Sequence, residues 1–248
     1  MKEFMSKLLT GMSIGIVVAL IPNALLGEIL KLLIPHFPFL QPLFDITVYL
    51  MSMLSILIGI MVGITFKLTP IQTASVGLAA MVGSGAVMKT TDGLFALNGI
   101  GVVLNTGITA ALAVLFVTMI GDKLKAYAIL LIPTLTIMIP GMVGYLLLPF
   151  MKKSTGLLGE GIAYLTTLQP VVMGAVIAVA FCLIILSPIS TVGVATVIML
   201  SGVGSGAANL GIVATGVGLA IASYKANNLG TALAHVLGSP KIQMRNFF

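Results

Sequence analysis

The chain has 248 residues, of which 59% are hydrophobic and only 7% charged, with a net charge of +6. A soluble domain carries about 25% charged residues, so this composition excludes a water-facing globule. The basic excess sits in short loops, where it records membrane topology; without an arginine-rich run or an aromatic-basic patch it does not indicate nucleic acid.

A helix needs about 20 consecutive apolar residues to cross a bilayer. The first run, 8–29, follows Lys2 and Lys7 and passes Ile21 without a small-residue cleavage site, which predicts a retained span rather than a removed signal. Glu28 and Lys31 at its end are spaced to pair on one helix. A loop over 31–42 places His36 between Pro35 and Pro38, in solvent. The second run, 44–66, starts at the interfacial residue Asp45. After a loop at 67–70 comes the segment 68–88, and after a loop at 89–93 the run 96–120. Loops at 121–125 and 151–160 bracket the run 126–150; the runs 163–186 and 189–223 follow, the last rich in glycine. Lipid offers no hydrogen-bond partners, so each run must be helical. Strand-type alternation is absent, which argues against an outer-membrane barrel. The expected fold is all-α: one polytopic helical membrane domain over 1–248.

Pro22, Pro133, Pro140 and Pro170 fall inside apolar runs and predict kinks. Gly11/Gly15, Gly59/Gly63 and Gly202/Gly206 have the four-residue spacing that lets helices approach closely. Tyr127, Tyr145 and Tyr164 lie near run ends, where interfacial rings are expected. Cys182 is the single cysteine and reads as a small lipid- or helix-facing residue.

One pentapeptide occurs twice: Val82-Gly83-Ser84-Gly85-Ala86 recurs as Val203-Gly204-Ser205-Gly206-Ala207. At that offset of 121 residues, 68–88 and 189–209 share 7 of 21 positions; at an offset of 122, 105–115 and 227–237 share 5 of 11. These blocks define repeat units of about 44–125 and 165–241. Many transporters are built from such repeats, with the substrate site where the halves meet. The copies are inverted if 68–88 re-enters the membrane and parallel if it spans. Re-entry puts eight Lys and Arg on the cytoplasmic, N-terminal side against three outside, and spanning gives seven against four. The count favours re-entry and inverted repeats, with Lys89 on the side of Lys67 and Lys123 opposite.

A Gly-Ser-Gly break at membrane depth frees backbone groups that can meet a polar substrate, unless the small residues only mark a helix crossing. Gly83, Ser84, Gly85, Gly204, Ser205 and Gly206 are therefore candidate substrate-binding residues. Asn105, Asn209, Asn227 and Asn228 join them, as does the less central Asn98, because an amide offers both donor and acceptor to sugar hydroxyls, or equally to a neighbouring helix. Asn227 and Asn228 share a segment with Lys225 and His235, which makes that segment the preferred site. Lys225 would face either a cavity or the membrane surface. No catalytic elbow, zinc-helix or phosphate-loop motif occurs, and six acidic residues with two histidines leave little for catalysis. No cofactor or metal is expected.

The C-terminal stretch Asn227-Asn228-Leu229-Gly230-Thr231-Ala232-Leu233-Ala234-His235, then Leu237-Gly238-Ser239-Pro240-Lys241-Ile242-Gln243-Met244, resembles the EIIC membrane proteins of the phosphotransferase system. The N-terminal Leu9-Thr10-Gly11-Met12-Ser13-Ile14-Gly15-Ile16-Val17 and both Gly-Ser-Gly segments fit as well. Within that family the chain is most similar to the perfringolysin O regulatory proteins of clostridia. The resemblance implies a bacterial cytoplasmic-membrane permease with its N-terminus inside, forming homodimers. It implies a small polar solute, such as a sugar, phosphorylated by separate EIIA and EIIB subunits, this chain being at most the membrane subunit. The similarity to the regulators implies an alternative, a membrane sensor acting on toxin gene expression. The resemblance also implies a longer chain, continuing past the Gly-Ser-Pro-Lys motif. No residue here matches the acidic sugar-binding motif of well-studied EIIC permeases.

Overall fold

The computed structural model describes residues 2–121, 123–124, 127–165, 169–189, 191, 194–195, 200 and 202–243, with the backbone alone for 158–165. Lys125, Arg245, the Tyr164 side chain and part of the second repeat block, 190, 192–193, 196–199 and 201, lie outside the described residues. The chain divides into two compact units, Met1–Leu148 and Pro149–Phe248.

The first unit opens with α1 (Lys2–Pro22), which runs through a π-turn at Asn23–Gly27 into α2 (Glu28–Leu33). Pro22 lacks an amide hydrogen, and the widened turn follows it directly. A 3₁₀ turn leads to α3 (Gln41–Met51), then α4 (Leu54–Thr65), α5 (Pro70–Ser84), a hairpin of β1 (Val87–Lys89) and β2 (Phe95–Leu97), and α6 (Val103–Ile120). Next come α7 (Ala128–Thr136), a second π-turn at Ile137–Gly141 around Pro140, and α8 (Met142–Leu165). The second unit holds α9 (Pro170–Leu186), α10 (Gly202–Ser223), α11 (Leu229–Leu233) with a π-turn to Gly238, and a 3₁₀ turn at Pro240–Gln243.

Four helices among the described residues are long and apolar enough to cross a membrane: Lys2–Leu33, Val103–Ile120, Ala128–Leu157 and Gly202–Ser223. The pair Pro38–Met51 and Leu54–Thr65, bent by 52°, makes a fifth if it is one span. Pro170–Leu186 has 17 residues, at the short end of the spanning range of about 17–25. The protein is an all-α polytopic membrane protein.

Several expectations shift. The run 96–120 is helical only from Val103, because Gly99 and Gly101 hold positive φ and 95–97 is a strand. The loop expected at 151–160 is helix, part of α8. Pro170 does not kink a helix; it starts one at a first-turn position, where its missing amide hydrogen costs nothing. Glu28 and Lys31 do pair, at 2.7 Å, and His36 is exposed.

Glycines set the packing of the first unit. A Cβ on Gly11 would lie 2.5 Å from Val62 Cα and one on Gly15 2.6 Å from Ile58 Cα, so α1 lies backbone to backbone on α4. Gly59 meets Gly77 and Gly63 meets Thr73 in the same way, which lays α4 antiparallel on α5. Without a hydrophobic drive between helices in lipid, such close van der Waals contact is the main cohesive term. In the second unit, Gly202 and Gly206 have no atom within 4 Å of an added Cβ, so this pair makes no close crossing. Gly211 does so instead, against the Ala178 carbonyl of α9. Met173, Ile177 and Phe181 of α9 with Ala207 and Ala208 of α10 form the core there.

The path of the first unit bears on the re-entry expectation for 68–88. Phe4 packs on Phe66 and the Thr65 hydroxyl donates to Lys7 O, so the Lys67 turn lies at the N-terminal end of α1. Helix α6 starts beside Ser55 and Gly83, and Gly107 then meets Met12. It therefore runs back beside α5 toward that same end, carrying Lys123 with it and leaving Lys89 at the other. That order of ends departs from the re-entrant path, and α5 itself covers about 22 Å in 15 residues.

Candidate functional site

The end of α5 and the start of α6 form a buried polar knot inside an apolar unit. Helix α5 begins with a capping box in which Thr69 and Gln72 exchange hydrogen bonds, and Pro70 takes its first position. It ends at Gly85, whose φ of +69° is left-handed, the usual glycine stop. A Cβ on Gly85 would strike Leu148 at 2.6 Å. The Ser84 hydroxyl donates to Met81 O at 2.7 Å and accepts from Ala86 N at 3.0 Å. Ser84 O accepts Val102 N at 2.8 Å, joining the two helix ends across the hairpin.

Asn105, in the first turn of α6, is fully buried. Its Nδ2 donates to Gly83 O at 2.6 Å and to Gly144 O at 2.8 Å. The Thr109 hydroxyl returns to Asn105 O at 2.8 Å and fills the space that a Cβ on Gly83 or Gly144 would need. Ser55 donates to Ile100 O at 3.2 Å and lies 3.4 Å from the Thr106 hydroxyl. Ser55, Ser84, Asn105, Thr106 and Thr109 are all under 1% exposed. Asn105 Oδ1 has no hydrogen-bond partner among the described residues. A buried amide oxygen left unpaired costs about 1–3 kcal/mol, so the knot retains one open acceptor.

The candidates of the second unit do not converge. Val203–Ala207 opens α10 rather than ending a helix: Gly202, at φ +55°, precedes it. Gly204 is buried, Ser205 is half-buried, and Asn209 is exposed. Gly206 lines an apolar groove of ≈ 500 Å³ between α9 and α10. Asn227 is exposed in a turn, and Asn228 caps α11, its Oδ1 accepting from Thr231 N at 2.8 Å. His235 is 1% exposed, its Nε2 2.8 Å from Gln243 Nε2. The preferred segment thus separates: its asparagines face out and its histidine faces in. Asn98 is exposed at the hairpin.

A family described as "Phosphotransferase system, EIIC" matches residues 6–248. The chain belongs to the phosphotransferase-system EIIC family. No curated protein and no solved structure matches it, so the resemblance to the clostridial regulators has no support.

The EIIC chain is therefore the membrane component of a phosphotransferase system. Sequence reasoning found Gly83, Ser84, Gly85 and Asn105 of its polar knot but missed Ser55, Thr106, Thr109 and Gly144. Thr106 and Thr109 bond the carbonyl four residues back, which hides hydroxyls within apolar helices. Also missed was Lys241, 5% exposed, whose Nζ donates to Ser187 O and, at 2.8 Å, to Ile189 O beyond the end of α9. Cys182 of α9 accepts from the Thr215 hydroxyl at 2.9 Å and faces a helix.

Proposed function

We propose that this EIIC chain carries a sugar, or another small polyhydroxyl solute, through the bacterial cytoplasmic membrane to separate EIIA and EIIB subunits that phosphorylate it. It works as a homodimer with its N-terminus in the cytoplasm. The single observation behind the solute site is the unpaired Asn105 Oδ1 at a junction of two helix ends. A hydroxyl donating to that oxygen would satisfy it, and the other knot groups position it: Nδ2 holds the amide, and Thr109 spaces the helices. The junction is closed, so solute entry requires the α5 tip to part from α6. Family membership supports the sugar and the partner subunits. Lys2, Lys7, Lys67 and Lys123 at one end support a cytoplasmic N-terminus by the positive-inside rule. The repeat copies, 44–125 and 165–241, fall largely one in each compact unit, which supports two related halves within one membrane domain.

The test is binding and uptake of labelled hexoses, hexitols and amino sugars by proteoliposomes carrying the chain, with and without EIIA and EIIB of the same operon. Saturable binding lost on Asn105→Ala is the expected result. No saturable binding of any of them removes the solute reading.

A further inference from the structure

The turn after α10 borders a groove that the solute reading leaves unused. It has ≈ 480 Å³ and lies between the last turn of α10 and the apolar helix Leu229–Gly238. Its wall is Ala220, Ile221, Ala222, Leu229, Leu233 and Val236, with Tyr224 and Lys225 at the rim. Ile221, Leu229 and Leu233 are 71%, 61% and 46% exposed, an apolar wall that water would not favour and lipid tails would. The apolar span Gly202–Ser223 ends two residues before Lys225, so hydrocarbon gives way to headgroups at this lysine. Tyr224 beside it is an interfacial ring.

Lys225 is exposed, so its ammonium is open to an anion from outside the chain. It makes no ion pair among the described residues, and from 161 to 248 the sequence holds no Asp or Glu. We propose that this groove holds an anionic phospholipid, its acyl chain along the apolar wall and its headgroup phosphate on Lys225. A basic residue at the mouth of an apolar cleft selects lipids by headgroup charge, while the wall supplies contact for any acyl chain.

Purified chain in nanodiscs of mixed phosphatidylglycerol and phosphatidylcholine would be analysed by native mass spectrometry for retained lipid. Phosphatidylglycerol is expected to be retained about five-fold over phosphatidylcholine, the order of preference one basic residue contributes near an anionic headgroup. Lys225→Gln should remove the preference, and Lys225→Arg should keep it. Ala222→Trp, which fills the groove and leaves the lysine, should also remove it, and glycerol 3-phosphate without a chain should not compete. Equal retention of both lipids, or a preference that survives Lys225→Gln, overturns the proposal. So does a preference that survives Ala222→Trp, which would be general surface charge, or a dimer that Ala222→Trp disrupts, which would make the groove a contact between copies. Unfolding midpoints in phosphatidylcholine alone check that each variant is folded.

Discussion

The Asn105 side-chain amide donates to Gly144 O at 2.8 Å, which pins the first turn of α6 to the start of α8. Its second bond, to Gly83 O, closes the end of α5 with the same nitrogen. Asn105→Leu removes the donor that the Gly83 and Gly144 carbonyls share, and Asn105→Asp sets a carboxyl oxygen where the donating nitrogen was. At about 1–3 kcal/mol for each unpaired buried group, both variants should lower the unfolding midpoint in detergent, Asp the more. A midpoint unmoved by Asn105→Asp would mean the amide is not a clamp.

The glycine faces give a graded prediction. Gly15→Val pushes a side chain into the backbone of Ile58, and Gly63→Val does the same against Thr73. Overpacking costs about 1–3 kcal/mol, and more where backbone is the obstacle. Gly206→Val and Gly218→Val, where nothing lies within 4 Å of the added Cβ, should leave stability within about 0.5 kcal/mol of the parent. Thermal melts of the four variants in one detergent rank them. Equal losses at Gly15 and Gly218 would show that close approach is not what holds α1 on α4.

The membrane class was legible in the sequence because the long apolar runs leave lipid as the only solvent that fits. The glycine spacing was legible at Gly11/Gly15 and Gly59/Gly63 but misled at Gly202/Gly206, since spacing states that an approach is allowed and not that a partner helix is there. The hairpin at 87–97 was not legible: Val, Met, Phe and Leu there read as more helix, and only Gly93, Gly99 and Gly101 mark the break. Asn105 and Asn227 align in the repeat, yet one is buried in a helix and the other exposed in a turn. Identity at a position does not carry burial, which depends on what packs against it.

Lys241 makes stability depend on pH. It lies outside the candidate spans, and burial pushes its ammonium down to about 7. Unfolded, the amine titrates near its ordinary value of 10.5, so between the two the unfolded chain binds more protons. Stability should therefore rise as pH climbs from about 7 toward 10, by at most about 1.4 kcal/mol per unit, and sit at its low plateau below 7. The window from about pH 7.5 to 9.5 lies between those two values and reads the lysine. Melting curves across that window should slope upward in the parent and flatten in Lys241→Met. A parent curve that is flat or falling there contradicts the buried amine.

The threading of the first unit is open to chemical labelling. With Cys182→Ser as background, single cysteines at Lys67, Lys89 and Lys123 report which face each turn occupies. The contacts of Phe4 with Phe66 and of Gly107 with Met12 place the Lys67 and Lys123 turns at one end of the unit. An impermeant maleimide should therefore label Lys67→Cys and Lys123→Cys from the same side, and Lys89→Cys from the other. That pattern follows from α6 lying antiparallel beside α5, since a helix that starts where its neighbour ends must finish where its neighbour began. If Lys89→Cys labels with Lys67→Cys while Lys123→Cys labels opposite, 68–88 re-enters instead. Asn105 and Gly83 would then have to meet by a different fold of the hairpin, and the polar knot would lose the geometry that gives Asn105 its two carbonyls.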